Sequence, residues 1–314
     1  NPKSKIAVYS DHNFYFDCPM RPGIERKTFR IDTLLKIAKV IREKNIRYLY
    51  FESLHIWNVA LMLLCPKCIK IEAIHDVIPH DGNIAMDACN YVTSKLADHV
   101  ILRNRKYKEL LSKKVKISID KISCLELWRE FPKEEESKHT GIFLCFGRIR
   151  RYKGFDRLIE VIRKTPAIKY RVVGEPDEES IQLVDMLKTL KNVHVIDMEV
   201  SDQQMRQEFI NADWVVLPYK DATQSGVIVD AYKYSRPVIA FDVGAISEQI
   251  DNNCTGFLVP DGNIDDFADK IKSASKMNPQ ELDEFSARAY YYGYRKYSAD
   301  SAANRFLEIL SKVK

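Results

Sequence analysis

Glycine is scarce in this chain: 11 residues in 314, against a usual share of roughly 7 %. So few glycines leave no room for flexible glycine-rich spacers, and each placement carries information. No internal repeat or low-complexity tract is present, which excludes solenoid and fibrous architectures. Long apolar runs are also missing. The longest, such as VALMLLC over residues 59–65, suits a buried helix and falls short of a membrane span. The start, NPKSKIAVYS, enters a strand-like run directly, without the features of a secretory signal. Seven cysteines are an odd number, scattered through apolar stretches, and read as buried thiols of a reducing cytoplasm. Cys65 and Cys68 form a C-x-x-C, but no second pair follows at zinc spacing, so packing is the better reading. No D-x-D acidic cluster falls at a strand end, which leaves no candidate metal ligands.

Hydrophobic residues make up 46 % and charged residues 30 % of the chain, the balance of a soluble globular protein long enough for two domains. The net charge of +5 is unevenly divided. Residues 1–140 hold 25 Lys and Arg against 18 Asp and Glu, a surplus of seven, and the remainder holds 24 against 26. The basic excess peaks in RNRKYKELLSKKVK, residues 103–116. That stretch is either a solvated helix face or a contact for anionic lipid headgroups or a phosphate-bearing acceptor. Nucleic acid is not an expected partner, because no recognition motif accompanies the basic stretch.

Periodicity alternates along the chain. KIAVYS, RYLYFE, IKIEAIH and DHVILR read as buried strands, separated by helical patterns near residues 28–44, 55–65, 84–97 and 105–114. ELWREFPKEEESKHT, residues 126–140, is polar and aperiodic and reads as a linker. Strands then resume with GIFLCF, YRVVG, NVHVI, DWVVLPY, RPVIAF and TGFLVP, again separated by helical stretches. Such alternation predicts parallel sheets covered on both faces. The expected fold is therefore α/β, with two doubly wound domains. The expected boundaries are 1–130, a linker at 131–140, and a second domain at 141–296. A terminal amphipathic helix at 297–314 follows, capped by Ser298 or Asp300.

Nine of the eleven glycines fall within residues 141–293. Gly147, Gly174, Gly226 and Gly244 each follow a predicted strand. Glycine there lets backbone N–H groups approach a phosphate at a helix start, although ordinary turn chemistry explains any one of them alone. In GRIRRYKGFDRLI, Arg148 ends a strand and Lys153 precedes a helix. Two cations at one loop mouth can clamp a diphosphate. Equally, Arg148, Arg150, Arg151, Lys153 and Arg157 could form a solvated surface.

FGRIRRYKGFDRLIEVI, VVLPYKDATQSGVIVDAYKYSRPVIAFDVGAISEQI and TGFLVPDGNIDDFADKI together resemble the second domain of family 4 glycosyltransferases. These are retaining enzymes that use nucleotide sugars and have the GT-B fold, two Rossmann-like doubly wound parallel-sheet domains facing a cleft. The resemblance covers roughly residues 141–275; IHDVIPHDGN and ADHVILRN match the first domain more loosely. It implies that Gly147, Arg148 and Lys153 receive the donor diphosphate, and that Gln224, Ser225, Gly226 and Val227 form the helix start facing donor phosphate and sugar. It implies that Asp230 holds the nucleotide ribose. The family's first glutamate, eight residues earlier, is replaced by Ala222, with Asp221 and Gln224 as nearby substitutes. His75 matches a histidine facing the donor sugar, or is a satisfied histidine at a strand end; His80 is a weaker candidate. The family's glycine-rich first loop is absent from SDHNFYFDCPMRPG, residues 10–23. The terminal helix resembles one that crosses back to the first domain in this fold.

The resemblance implies metal-independent sugar transfer from a UDP-sugar or GDP-sugar to a glycan or lipid-linked acceptor, with no further cofactor. The expected setting is surface polysaccharide synthesis, in the cytoplasm and at the inner face of the membrane, which the basic first domain would contact. Arg148, Lys153 and helix-start amides would stabilise the departing diphosphate, and the diphosphate itself would help deprotonate the acceptor. Two other readings stay open: a non-catalytic subunit of the same fold that partners another glycosyltransferase, and a sugar-nucleotide epimerase.

Overall fold

The computed structural model describes residues 25–77, 84–133 and 138–313. The described chain forms two compact units: the residues up to Leu102 with Lys108–Ser123 and Val313, and Arg103–Tyr107 with Cys124–Lys312.

The first unit contains strands β1 (Tyr48–Phe51), β2 (Ile69–Ile74), β3 (His99–Leu102) and β4 (Ile122–Cys124), in that spatial order. The β1–β2 and β2–β3 pairs are parallel. Helices α1 (Ile31–Glu43), α2 (Ile56–Leu64), α3 (Ile84–Leu96) and α4 (Lys108–Val115) connect or follow them. β3 is buried at all four positions, as a central parallel strand must be. The predicted strands RYLYFE, IKIEAIH and DHVILR are thus present, while KIAVYS lies outside the described residues. The three-residue β4 was not anticipated.

The second unit contains β5 (Ile142–Phe146), β6 (Lys169–Val173), β7 (Val193–Ile196), β8 (Trp214–Leu217), β9 (Val238–Asp242) and β10 (Gly256–Pro260). All are parallel, in the order β10-β9-β8-β5-β6-β7. Counted from β5 this is the dinucleotide-binding order 3-2-1-4-5-6, whose direction reverses between β5 and β8. Connecting helices are α5 (Phe155–Lys164), α6 (Ile181–Lys188), α7 (Asp202–Ile210), α8 (Gly226–Lys233) and α9 (Ile264–Ser275). α5 buries Phe155, Leu158, Ile159 and Ile162, the apolar spacing of a helix laid on a sheet. Trp214 stacks on Phe257 at 5.4 Å, and Phe285 packs against both rings.

Two long helices close the unit: α10 (Pro279–Tyr297) and α11 (Ala299–Lys312). Asn278 and Glu281 form a reciprocal capping box at the start of α10. Ser298 Oγ accepts the Ser301 N–H, as expected of its capping role.

The unit boundary lies at Ser123/Cys124, upstream of the expected linker at 131–140. Residues 126–133 are anchored by side chains that no local pattern reveals. Arg129 N–H bonds Tyr297 O at 2.9 Å, Phe131 packs edge-on to Tyr290 and Tyr294, and Tyr290 OH donates to Pro132 O at 2.7 Å. α11 groups with the second unit, where Arg305 pairs with Glu126.

Candidate functional site

The strand order places β5 and β8 side by side with their connections leaving in opposite directions. In a doubly wound sheet, ligands bind outside the carboxyl ends at this point. Gly147 follows β5 directly, with φ at +103°, a region that L side chains avoid. A Cβ on Gly147 would lie 2.7 Å from Lys153 Nζ and 3.4 Å from Val227 Cγ2. Gly147 is therefore the point where the Lys153 ammonium meets the first turn of α8. The tight turn that presents Lys153 ends at Gly154, in the left-handed region with φ at +69°. Any side chain at Gly154 would collide with Pro218 O, 1.9 Å from the Cβ position. Glycine is thus required for the loop after β5 to press against the main chain leaving β8, and Lys220 N–H bonds Tyr152 O at 2.8 Å there.

The five basic residues of this loop divide cleanly. Arg150 pairs with Asp177 at 2.7 Å, Arg151 with Glu179 at 3.6 Å and Arg157 with Asp261 at 2.6 Å. Arg148 and Lys153 meet no carboxylate among the described residues. The Lys153 ammonium sits 5.5 Å from the centre of the Tyr219 ring. Burial pushes its pKa from 10.5 down to about 8; Cys145 opposes the shift, and Arg148 and Arg150 add to it. Cys145, buried within β5, is pushed up to about 12 by its own desolvation. A desolvated cation without a counter-ion costs stability, which singles out Lys153 from its paired neighbours.

α8 begins opposite. Its N-cap Ser225 is extended (φ −130°, ψ 117°) and makes no side-chain cap. The Ser225 N–H donates to Gln249 Oε1 at 2.7 Å, and Gln249 Nε2 returns a bond to Ser225 O at 3.0 Å. Among the described residues the N–H groups of Gly226 and Val227 meet no acceptor, and the buried Ser225 hydroxyl lies against the Tyr219 hydroxyl. Two orphan amides at the positive end of a helix, with the Lys153 ammonium across Gly147 from the Val227 side chain, offer the chemistry that an anion site needs. Asp230, one turn further on, is 9 % exposed. Its carboxylate accepts from Arg129 Nε at 2.8 Å and Nη2 at 3.4 Å.

The profile of the family described as Glycosyl transferases group 1 matches residues 127–296. The chain belongs to this family. The poly(ribitol-phosphate) alpha-N-acetylglucosaminyltransferase of Staphylococcus aureus is 28 % identical over 184 residues, covering 55 % of this chain and 36 % of the relative. The GDP-mannose:glycolipid 4-beta-D-mannosyltransferase of Xanthomonas campestris is 30 % identical over 111 residues, 34 % of this chain and 32 % of the relative. The chain thus spans about a third of the length of these curated relatives. HepE from Anabaena, solved in complex with UDP, superposes with a TM-score of 0.75 at 15 % identity, covering 89 % of this chain and 82 % of that one. The fold is GT-B, with Rossmann-like parallel sheets of four and six strands.

In this glycosyl transferases group 1 chain, Ala222 is buried and its carbonyl accepts the Ala245 N–H at 2.9 Å. Asp221 is exposed. Gln224 is half-buried; it lines a small polar space with Asn104, Glu126, Glu248, Gln249 and Lys296, and its Oε1 has no partner there. The loop is braced from behind: Asn104 Nδ2 bonds Thr223 O at 2.9 Å, and Glu248 accepts the N–H groups of Arg105 and Lys106. Gly147, Lys153 and Val227 are brought together, whereas Gln224 lines the separate polar space with Asn104 and Gln249. His75 belongs to the first unit. It follows β2, with Nε2 2.7 Å from Glu52 O and 3.7 Å from Glu52 Oε1. His80 and residues 10–23 lie outside the described residues. Sequence reasoning missed Gln249 and Arg129. Gln249 stands in the GAISEQI stretch that carries the resemblance, but ELWREF reads only as linker. The six described cysteines are free thiols. No described helix is long and apolar enough to cross a membrane.

Proposed function

We propose that this chain transfers a sugar from a UDP-sugar or GDP-sugar to a glycan or lipid-linked acceptor, with retention of configuration and without a metal ion. The observation that carries the reading is the uncompensated Lys153 ammonium at Gly147, where the Val227 side chain of the α8 start also arrives, at the point where the strand order reverses. Arg148 and Lys153 receive the donor diphosphate, with Gly147 giving it close backbone access. Gln224, Ser225, Gly226 and Val227 face the phosphate and sugar, and Asp230 lies at the ribose position. As the bond from C1 to the β-phosphate oxygen breaks, negative charge grows on the diphosphate. Lys153, Arg148 and the α8 amides stabilise that charge more in the transition state than in the ground state. The acceptor oxygen bonds to C1 on the same face, and its proton passes to the diphosphate oxygen. His75 is the first unit's candidate contact to the sugar.

The relatives support a surface-glycan or glycolipid role: one is named for poly(ribitol-phosphate), the other for a glycolipid, and HepE was solved with UDP. We place the chain in the cytoplasm, with its basic first unit against the anionic inner face of the membrane. A second reading, a non-catalytic subunit, is favoured by Ala222 at the first-acid position.

Incubation with UDP- and GDP-sugars and lipid-linked acceptors, with the product anomer assigned by NMR, tests the reading. The expected product keeps the donor's anomeric configuration. An inverted product overturns retention. Binding of another glycosyltransferase without turnover of any donor supports the second reading.

A further inference from the structure

We infer that Arg129 is a third cation of the donor diphosphate site, and that Asp230 is the positioning residue that holds it there. The inference rests on the donor-site reading above and deepens it. Arg129 is anchored at its backbone by the Tyr297 carbonyl and by a parallel bridge to Ser298. Its guanidinium grips the Asp230 carboxylate through Nε and Nη2, and Nη1 donates to Trp128 O at 3.0 Å. The other face of the group lies against the start of α8. A Cβ on Gly226 would stand 3.2 Å from Arg129 Nη2, so the guanidinium rests on the first residue of the helix.

Charge makes this placement informative. A helix start carries partial positive charge and favours anions, yet Arg129 comes to it at Gly226, and the Lys153 ammonium borders Gly147, the glycine that the Val227 side chain also borders. Asp230 offsets one of these cations and nothing described offsets the other. Beside them lies the buried Ser225 hydroxyl, 4 % exposed, with the Tyr219 hydroxyl against it. Two cations, two orphan amides and a hydroxyl gathered at the start of α8 and at Gly147 fit a group with several negative oxygens, which is what a diphosphate offers. Arg129 retains a solvent-facing portion, with 36 % of its side chain exposed against 12 % for Asp230. A planar guanidinium can bond a carboxylate along one edge and still present N–H donors to phosphate. Asp230 then serves the donor through Arg129 rather than by holding the ribose directly.

Titration calorimetry of the full chain with UMP and UDP, and with GMP and GDP, separates these roles. Ribose is common to each pair, so the ratio of monophosphate to diphosphate Kd reports the terminal phosphate alone. Lys153→Ala is the control and is expected to collapse the ratio. Arg129→Met is expected to lower the ratio about tenfold, the loss of one charge-assisted bond, and Arg129→Lys to restore most of it. Asp230→Asn should also lower the ratio. The double variant Arg129→Met with Asp230→Asn, which leaves no unpaired buried carboxylate, should lower it no further than Arg129→Met alone. If Asp230→Asn weakens both members of a pair equally, Asp230 is a ribose ligand and the inference fails. If Lys153→Ala collapses the ratio while the Arg129 variants preserve it, the inference fails alone. A wild-type protein that binds neither UDP nor GDP overturns the donor-site reading and the inference together.

Discussion

Lys153→Met should make the ligand-free protein more stable while removing its ability to hold a diphosphate. The depression of the Lys153 pKa from 10.5 to about 8 corresponds to roughly 3 kcal/mol at about 1.36 kcal/mol per unit. That is an upper bound on the cost of keeping the ammonium charged at pH 7, since solvent relaxation and partial exposure reduce it. Methionine retains the apolar stem and removes the charge. Between pH 8 and 10.5 the unfolded chain holds a proton at Lys153 that the folded protein has lost, so wild-type stability rises with pH across that window. The Met variant lacks this rise. Its advantage should therefore be largest at pH 7 and vanish by about pH 10.5. In melting temperature the advantage at pH 7 amounts to at most roughly 6–12 °C for a unit of this size. Differential scanning calorimetry of both proteins at the two pH values measures it directly. A Met variant no more stable than wild type at pH 7, or one whose advantage persists unchanged at pH 10.5, would refute the uncompensated charge. Stability given up to keep a charge unpaired is what a binding site requires and a surface does not.

Glu72, fully buried in β2, has its pKa raised by desolvation from 4.5 to about 8, against the pull of hydrogen bonds from Asn58 and Thr93. Its folded form keeps a proton that the unfolded chain releases above pH 4.5, so stability should fall from there to pH 8 and then level off. Glu72→Gln should flatten that decline, and a gap to wild type that is equal at pH 5 and pH 8 in chemical denaturation would count against it. Gly154→Ala places a Cβ into Pro218 O at a positive φ, where the left-handed conformation alone costs about 1–2 kcal/mol. A destabilisation above that range is expected in denaturant melts, and a value near zero would mean the loop after β5 is not pinned to β8.

The parallel sheets were legible because β3, β5 and β8 are short apolar runs bounded by turn residues, the pattern a doubly covered strand must show. The proposed diphosphate clamp was legible only in part. Arg148 and Lys153 stand out by resemblance, but which of five neighbouring cations lacks a partner depends on Asp177, Glu179 and Asp261, brought near by folding. Strand order, which locates the site between β5 and β8, leaves no trace in periodicity. Arg129 was invisible for the same reason: its partner Asp230 is 101 residues away. α10 went unrecognised although Leu282, Phe285, Ala289 and Gly293 recur at helical spacing on its buried side. Tyr291 and Tyr294, exposed on the other side, obscure its apolar stripe.

The central claim is that the start of α8 and the loop after β5 hold a nucleoside diphosphate through Lys153. A thermal-shift comparison of wild type and Lys153→Ala with UDP, GDP, ADP and their sugars tests it most directly. The account predicts that UDP or GDP stabilises the wild type, by about 2.7 kcal/mol at a hundredfold excess over Kd, and leaves Lys153→Ala nearly unmoved. Absence of a shift with every nucleotide, or an equal shift in both proteins, would contradict it.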